Sequence, residues 1–135
     1  MRRIVISAAL ALLCLVATPV FAGDFEEGLK IARDPKLLAT RSNDAERLFR
    51  SATKDAKNGK DAWYNLGLLL KLKGDVNGAR SAFQSAVQLD PKYHPAKAQL
   101  LGLDLRDMGK AQGAVTQLEA IAAEDPFQAA AQNLL

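Results

Sequence analysis

The side chains with the strongest intrinsic chemistry are few in this chain. The sequence has one histidine, His94, which stands in a short linker before Pro95, and one cysteine, Cys14, which lies in an apolar run. Asp104 and Asp107 are about one helical turn apart, and a solvated helix face explains them better than acid–base pairing. Zinc sites and phosphate-binding loops need Cys/His sets or Gly-rich segments that the sequence does not contain. We therefore predict a protein that is not an enzyme and that has no cofactor and no metal.

Residues 1–22 have the organisation of a secretory signal peptide. Arg2 and Arg3 precede an apolar run that is too short to cross a bilayer comfortably. The residue types before Gly23 fit the site that a signal peptidase cleaves, so we expect cleavage between Ala22 and Gly23. An uncleaved N-terminal anchor is the alternative. The segment predicts a periplasmic or secreted protein that contacts the membrane only through its signal peptide, before cleavage.

Removal of the signal peptide changes the charge and the cysteine content. The chain has 18 basic and 15 acidic residues, and two of the basic ones are the arginines of the signal peptide. The 18 basic residues less these two leave 16 against 15, a net charge of +1. A nucleic-acid-binding surface is not expected from this balance. Because Cys14 is also removed, the mature chain must be stabilised by packing alone, without disulfides.

The clearest pattern lies between residues 60 and 93, where two helical segments flank a Gly-Asp turn. Apolar and small residues recur there at intervals of three or four, the period of an amphipathic helix. Gly67 in the first segment costs about 1 kcal/mol relative to alanine. We therefore expect it to permit a close contact, against Ala79 of the second segment. The landmarks of the pattern are Trp63, Leu66, Gly67, Leu70, Gly74, Ala79, Phe83, Ala86 and Pro91.

The order and spacing of these landmarks resemble those of a tetratricopeptide repeat. The pattern recurs 35 residues later, from Ala98 to Pro126, and Ala45, Phe49 and Ala52 repeat the spacing of its second half. The resemblance implies an all-α stack of antiparallel helix pairs, an α-solenoid. Its expected parts are a degenerate repeat at 24–59, clear repeats at 60–93 and 95–128, and a capping helix at 127–135, which together make one domain over 23–135.

The N-terminal repeat is the least regular of the three. Its first helix is expected to start at Asp24, which can serve as its cap, and to end or kink at Pro35. Asn43 and Glu46 fit a capping box. A second helix is therefore expected to start there and to run to about Lys57.

The resemblance also implies a non-enzymatic scaffold that binds a segment of another envelope or secreted protein. In this family the first helix of each repeat lines a concave groove. An amide at Asn65 can both donate to and accept from a peptide backbone, and Lys71 and Arg106, at equivalent positions, can form a basic edge for an acidic partner. A purely structural or solvated role is the alternative for each. The groove residues implied by position are Tyr64, Asn65, Leu68, Lys71, Gln99, Leu103 and Arg106.

A self-assembling structural protein is the alternative function. The last helix of a repeat array needs a polar cap over its apolar flank. Residues 127–135 (FQAAAQNLL) have few polar side chains. They are expected either to cover that flank or to form a homo-oligomer interface.

Overall fold

The computed structural model describes residues 20–106 and 110–124, which form helices joined by short connections, with no strand among them. Consecutive helices pack against each other, and the short connections make them antiparallel. This arrangement confirms the predicted all-α stack of helix pairs. The helices are α1 (Val20–Arg33), α2 (Pro35–Ala52), α3 (Gly59–Leu72), α4 (Val76–Leu89), α5 (His94–Asp104) and α6 (Ala111–Glu124).

The turn between α3 and α4 has the residue types that its backbone requires. Gly74 has a φ of +85°, a conformation that residues with a Cβ rarely adopt. The carboxylate of Asp75 accepts a hydrogen bond from the backbone N–H of Gly78 at 2.8 Å and so caps α4. α4 ends at Leu89, just before Pro91 of the predicted repeat.

The N-terminal repeat differs from the prediction at its first helix. α1 begins at Val20, so Asp24 lies inside the helix and is not its cap. The Asp24 carboxylate instead accepts a hydrogen bond from the Ser51 hydroxyl at 2.5 Å, which joins α1 to the end of α2. Pro35 is the first residue of α2, and Asp34 caps this helix.

The predicted capping box at Asn43 and Glu46 is wrong. α2 continues through both residues and is interrupted only by non-helical dihedral angles at Arg41, with φ −125° and ψ 24°. The side-chain oxygens of Asn43 and Glu46 accept hydrogen bonds from the Lys73 ammonium, at 2.9 and 2.5 Å. The polar cluster that suggested a helix start therefore ties the first hairpin to the second.

α2 also ends earlier than predicted, at Ala52 and not near Lys57. Residues 53–58 connect it to α3, and Gly59 is the first residue of α3 and is buried. A Cβ at Gly59 would lie 3.1 Å from the carbonyl oxygen of Thr53. This glycine therefore permits close packing of the connection against the next helix.

A glycine facing a phenylalanine brings the two helices of each N-terminal hairpin together. A Cβ at Gly67 would lie 2.5 Å from the ring of Phe83, so the nearest neighbour of this glycine is Phe83 and not, as expected, Ala79. In the first hairpin a Cβ at Gly28 would lie 2.9 Å from the ring of Phe49. Both phenylalanine rings are fully buried, so neither can move to make room for a methyl group without disturbing the core.

The two hairpins also correspond in a second contact. Three positions before each of these glycines stands an aromatic residue that contacts the same phenylalanine ring. The ring of Phe25 lies 6.2 Å from that of Phe49, and the ring of Tyr64 lies 5.9 Å from that of Phe83. The hairpin of α1 and α2 is therefore packed like the hairpin of α3 and α4. Gly28 precedes Gly67 by 39 residues, whereas Phe49 precedes Phe83 by 34, which obscured the match in the sequence.

The C-terminal hairpin of α5 and α6 has a small core of its own. Ala98 and Leu101 of α5 pack with Ala114 and Leu118 of α6. Residues 1–19 of the predicted signal peptide, the C-terminal part of the predicted repeat at 95–128 and the predicted capping helix at 127–135 lie outside the described residues. Within the described ranges, none of the helices has the length and apolar character that crossing a bilayer requires.

Substitution of Gly67 by alanine is expected to lower the free energy of unfolding by about 1–2 kcal/mol. Overpacking of a filled core costs about 1–3 kcal/mol, and the gain in helix propensity offsets up to about 1 kcal/mol of it. Urea denaturation followed by circular dichroism measures the change. Gly113→Ala is the matched control, because a Cβ there has no neighbour within 4 Å, and it is expected to be neutral or stabilising. Equal changes in the free energy of unfolding for Gly67→Ala and Gly113→Ala would show that the contact with the Phe83 ring is not the cause of the lost stability.

Candidate functional site

An open groove of about 460 Å³ lies between α1 and α3, with Tyr93 contributing from the linker before α5. We call it the α1–α3 groove. Since α2 is antiparallel to both helices, α1 and α3 run in the same direction. Phe25, near the start of α1, therefore lies at the same end of the groove as Asp61, and Arg33 lies at the same end as Leu72. Leu29 and Leu68 make the walls between these ends apolar.

Three of the residues predicted for the groove line it, namely Tyr64, Asn65 and Leu68. They lie on one face of α3, which is the first helix of the clearest repeat. The other predicted residues belong to the boundary between α3 and α5 or follow α5, outside the lining of the α1–α3 groove. These are Lys71, Gln99, Leu103 and Arg106.

Asn65 is held in position by its own helix. Its side-chain nitrogen donates to the backbone carbonyl of Asp61 at 2.8 Å, a hydrogen bond that fixes the direction of the amide. Within the described part of the chain, its side-chain oxygen accepts no hydrogen bond. The half-buried amide therefore keeps one acceptor and one further N–H for a ligand backbone in the groove.

Gln99 links α3 to α5 from a buried position. It is 8% exposed, accepts a hydrogen bond from the Lys71 ammonium at 2.8 Å, and also hydrogen-bonds the Tyr64 hydroxyl. Burial raises the pKa of Tyr64, and the hydrogen bond from Gln99 partly opposes this effect. Leu103 is 3% exposed in the main core. Gln99 and Leu103 thus position α5 against the helix that lines the groove.

Lys71 and Arg106 lie near each other close to the end of α3, outside the lining of the groove. Burial lowers the pKa of Lys71, and the nearby positive charge of Arg106 lowers it further. Arg33 lines the same end from α1. Within residues 20–106 and 110–124, none of these three side chains has a carboxylate within 4 Å.

The opposite end of the groove is acidic and is fixed by Tyr93. The Tyr93 hydroxyl donates to the carboxylate of Asp61 at 2.5 Å, and the Tyr93 ring meets that of Tyr64 edge-on at 5.7 Å. Lys60 lies 5.1 Å from the centroid of the Tyr93 ring and pairs with Asp90 at 2.6 Å. The linker before α5 is therefore fastened to the first turn of α3.

Tyr93 and Arg33 line the groove, although the sequence pattern indicated neither residue. Tyr93 belongs to a linker, outside the repeat landmarks, and no local signal pairs it with Asp61. Arg33 ends α1, whose correspondence to the later repeats becomes visible only through the contact of Gly28 with Phe49. Both residues gain their position from packing between helices that are distant in sequence.

His94 takes part in a tertiary contact between α5 and α6. Its Nε2 lies 3.3 Å from the Glu124 carboxylate, so it joins the start of α5 to the end of α6. Among the residues whose structure is described, no group of three or more His, Cys, Asp or Glu side chains is placed to hold a metal ion.

Comparison with known families supports the pattern found in the sequence. The family model described as tetratricopeptide repeat matches residues 39–94. The matched segment contains α3 and α4 and most of α2, and it includes Asn65 and Tyr93 of the groove. A search of curated proteins finds no match to the chain.

Replacement of Tyr93 by phenylalanine is expected to lower the free energy of unfolding by about 1 kcal/mol at neutral pH. A hydrogen bond to a charged group contributes about 1.5–3 kcal/mol, and partial exposure reduces this value. Urea denaturation of both proteins measures the difference.

The stability difference between wild type and Tyr93→Phe is also expected to depend on pH. Burial and the Asp61 carboxylate raise the pKa of Tyr93 above its ordinary value. The hydroxyl therefore makes its full contribution to the free energy of unfolding below about pH 10, the pH near which tyrosine ionises in the unfolded chain. This contribution is lost as the pH rises further. Denaturation between pH 8 and 11 tests this, and a difference that grows above pH 10 would contradict it.

Proposed function

We propose that this chain, which matches the tetratricopeptide repeat family over residues 39–94, a class of scaffold for protein–protein contacts, binds a segment of a partner protein in the α1–α3 groove. The observation that carries the proposal is the open apolar groove, about 460 Å³ in volume, with an oriented amide at Asn65 in its wall. Apolar walls supply non-directional affinity. The amide supplies hydrogen bonds to a backbone irrespective of the partner's side chains.

The mechanism is preorganisation of the groove. The contact of Gly67 with Phe83 fixes α3 on α4, and the hydrogen bond from Tyr93 to Asp61 fixes the next linker at the mouth of the groove. The walls therefore need little ordering on binding. Most of the entropic cost falls on the partner segment, and a rigid receptor keeps that cost low. The proposal assigns no catalytic residue and no cofactor.

We also propose that the protein acts in the periplasm or after secretion, on another envelope or secreted protein. Support comes from the signal-peptide pattern of residues 1–22. Cleavage after Ala22 is compatible with binding, because Phe25 is the first residue of α1 that lines the groove. The exported chain would thus keep the whole groove.

The substitution Asn65→Ala is expected to reduce capture of a partner from envelope extract about five- to tenfold. It removes up to two hydrogen bonds, each contributing about 0.5–1.5 kcal/mol. Pull-downs with the mature protein, quantified by mass spectrometry, measure the change, and Lys71→Ala is expected to act in the same direction. Helicity and melting temperature are expected to stay near those of the wild type. Asn77→Ala is the matched control, since Asn77 is exposed on α4. Unchanged capture by Asn65→Ala would place the binding surface elsewhere.

Self-association through the C-terminal end is the second candidate function. α6 buries only Ala114 and Leu118 among its described residues, and Val115 remains 38% exposed. A cavity of about 400 Å³ also lies between α5 and α6, bordered by Leu100 and Ile121. A hairpin with so small a core would gain stability from a further layer.

Sedimentation velocity of the mature chain with and without residues 127–135 tests self-association. If this end forms an interface, the full mature chain sediments as an oligomer, the truncated chain sediments as a monomer, and the oligomer dissociates on dilution. A monomer in both preparations would exclude this candidate and leave groove binding unaffected.

A further inference from the structure

The cavity between α5 and α6 is an open groove with partly apolar walls. Leu100 and Leu101 of α5 and Ile121 of α6 line it, over a volume of about 400 Å³. We call it the α5–α6 groove. Ile121 is half-buried and Ala120 beside it is exposed. Among the described helices, α6 packs mainly against α5, so this face of the hairpin is open to a further element.

The same surface one repeat earlier is covered by a helix. The residues 35 positions before Gln117 and Ile121 of the groove are Ala82 and Ala86, which are 2% and 0% exposed. Both share a hydrophobic cluster with Ala96 of α5, the helix that packs next to α4. Gln117, by contrast, is exposed. The α5–α6 groove therefore has the place of a surface that receives a helix.

The chain that leaves α6 has the same linker residues as the chain that leaves α4. Both helices end directly before an Asp-Pro pair, Asp90-Pro91 and Asp125-Pro126. The Asp90 carboxylate accepts a hydrogen bond from the backbone N–H of Lys92 at 3.0 Å, which tightens the turn. Because the same pair stands 35 positions later, we expect a similar turn there, which would direct the following residues along the α5–α6 groove.

Residues 127–135 have a length and a composition that suit this place. They carry no charge, and six of the nine are Phe, Ala or Leu. As a helix they would be about 14 Å long, and α5 extends for about 15 Å between His94 and Asp104, which both line the groove. Ala131 corresponds to Ala96, which is fully buried. A small apolar residue thus stands where the closest packing is needed.

We propose that residues 127–135 dock along the α5–α6 groove of their own chain and close this end of the stack. The short linker holds the segment beside its own groove at an effective concentration of about millimolar, so a second copy at micromolar concentration competes poorly. The docked segment covers Leu100 and Ile121 and leaves no apolar surface for a second copy. This inference goes beyond partner binding, and it excludes self-association through the same groove while the segment is docked.

Cysteine cross-linking tests the inference in the mature chain, which lacks Cys14 and so has no thiol of its own. Ala120→Cys places one thiol on the exposed wall of the groove, and Gln132→Cys places the other on the segment. A short bismaleimide is expected to join them within one chain, with a yield about tenfold above that of a control pair. The control pairs Gln132→Cys with Arg47→Cys, because Arg47 is 75% exposed on α2, in the first hairpin. Electrophoresis separates intrachain from interchain products.

Two charge variants locate the docked face of the segment. Ala131→Asp places a carboxylate at the position that corresponds to fully buried Ala96. It is expected to reduce the cross-linking yield to that of the control pair, because burial of an unpaired charge is unfavourable. Ala130→Asp makes the same change one position earlier, where the corresponding Pro95 is only half-buried, and is expected to retain most of the cross-link. Circular dichroism verifies that both variants are folded.

Three results would overturn the inference. Equal yields from the Ala120 and Arg47 pairs would show that the segment does not dock in the groove. Cross-linking only between chains, in a mixture of the two single-cysteine proteins, would assign the groove to a second copy. An intrachain cross-link that survives Ala131→Asp would show that the segment does not bury the expected face. None of these results bears on partner binding in the α1–α3 groove, which Asn65→Ala tests separately.

Discussion

The close approach of two helices at a glycine is the contact on which the rest of the structure depends. At Gly67 and again at Gly28, the absence of a Cβ lets a fully buried phenylalanine ring lie against the backbone of the neighbouring helix. Because each ring is also in contact with an aromatic residue of the groove-lining helix, Phe25 or Tyr64, the same contact that closes the hairpin also fixes the wall of the groove. Packing and the candidate function are thus coupled through a few side chains.

A second feature is the separation of roles between neighbouring faces of α3. One face carries Leu66 and Leu70 into the core, and the adjacent face presents Asn65 and Leu68 to the groove. The polar groups of the groove are oriented by internal hydrogen bonds, such as that from the Tyr93 hydroxyl to Asp61, yet they retain capacity for a ligand. A preorganised surface of this kind is suited to binding by complementarity, without a conformational change.

The N-terminal hairpin illustrates how one packing arrangement can be reached from dissimilar sequences. α1 has no tryptophan and no Leu-Gly pair, but it supplies an aromatic residue and a glycine at the positions where the second hairpin has Tyr64 and Gly67. What is retained is the geometry of the contact with α2. The hairpin also contributes one wall of the groove and the cation of Arg33, so a groove defined by the clear repeats alone would be incomplete.

The sequence by itself determined the features that arise from local chemistry. These include the helical period, the left-handed turn at Gly74, the cap at Asp75 and the bounds of α4, because each depends on residues within a few positions of one another. It also indicated Asn65 as a groove residue, through the family pattern. Only the tertiary structure decided that α2 runs through Asn43, that Gln99 is buried and that Tyr93 holds Asp61. These features depend on side chains about thirty residues apart along the chain, at distances that only the packing of whole helices sets.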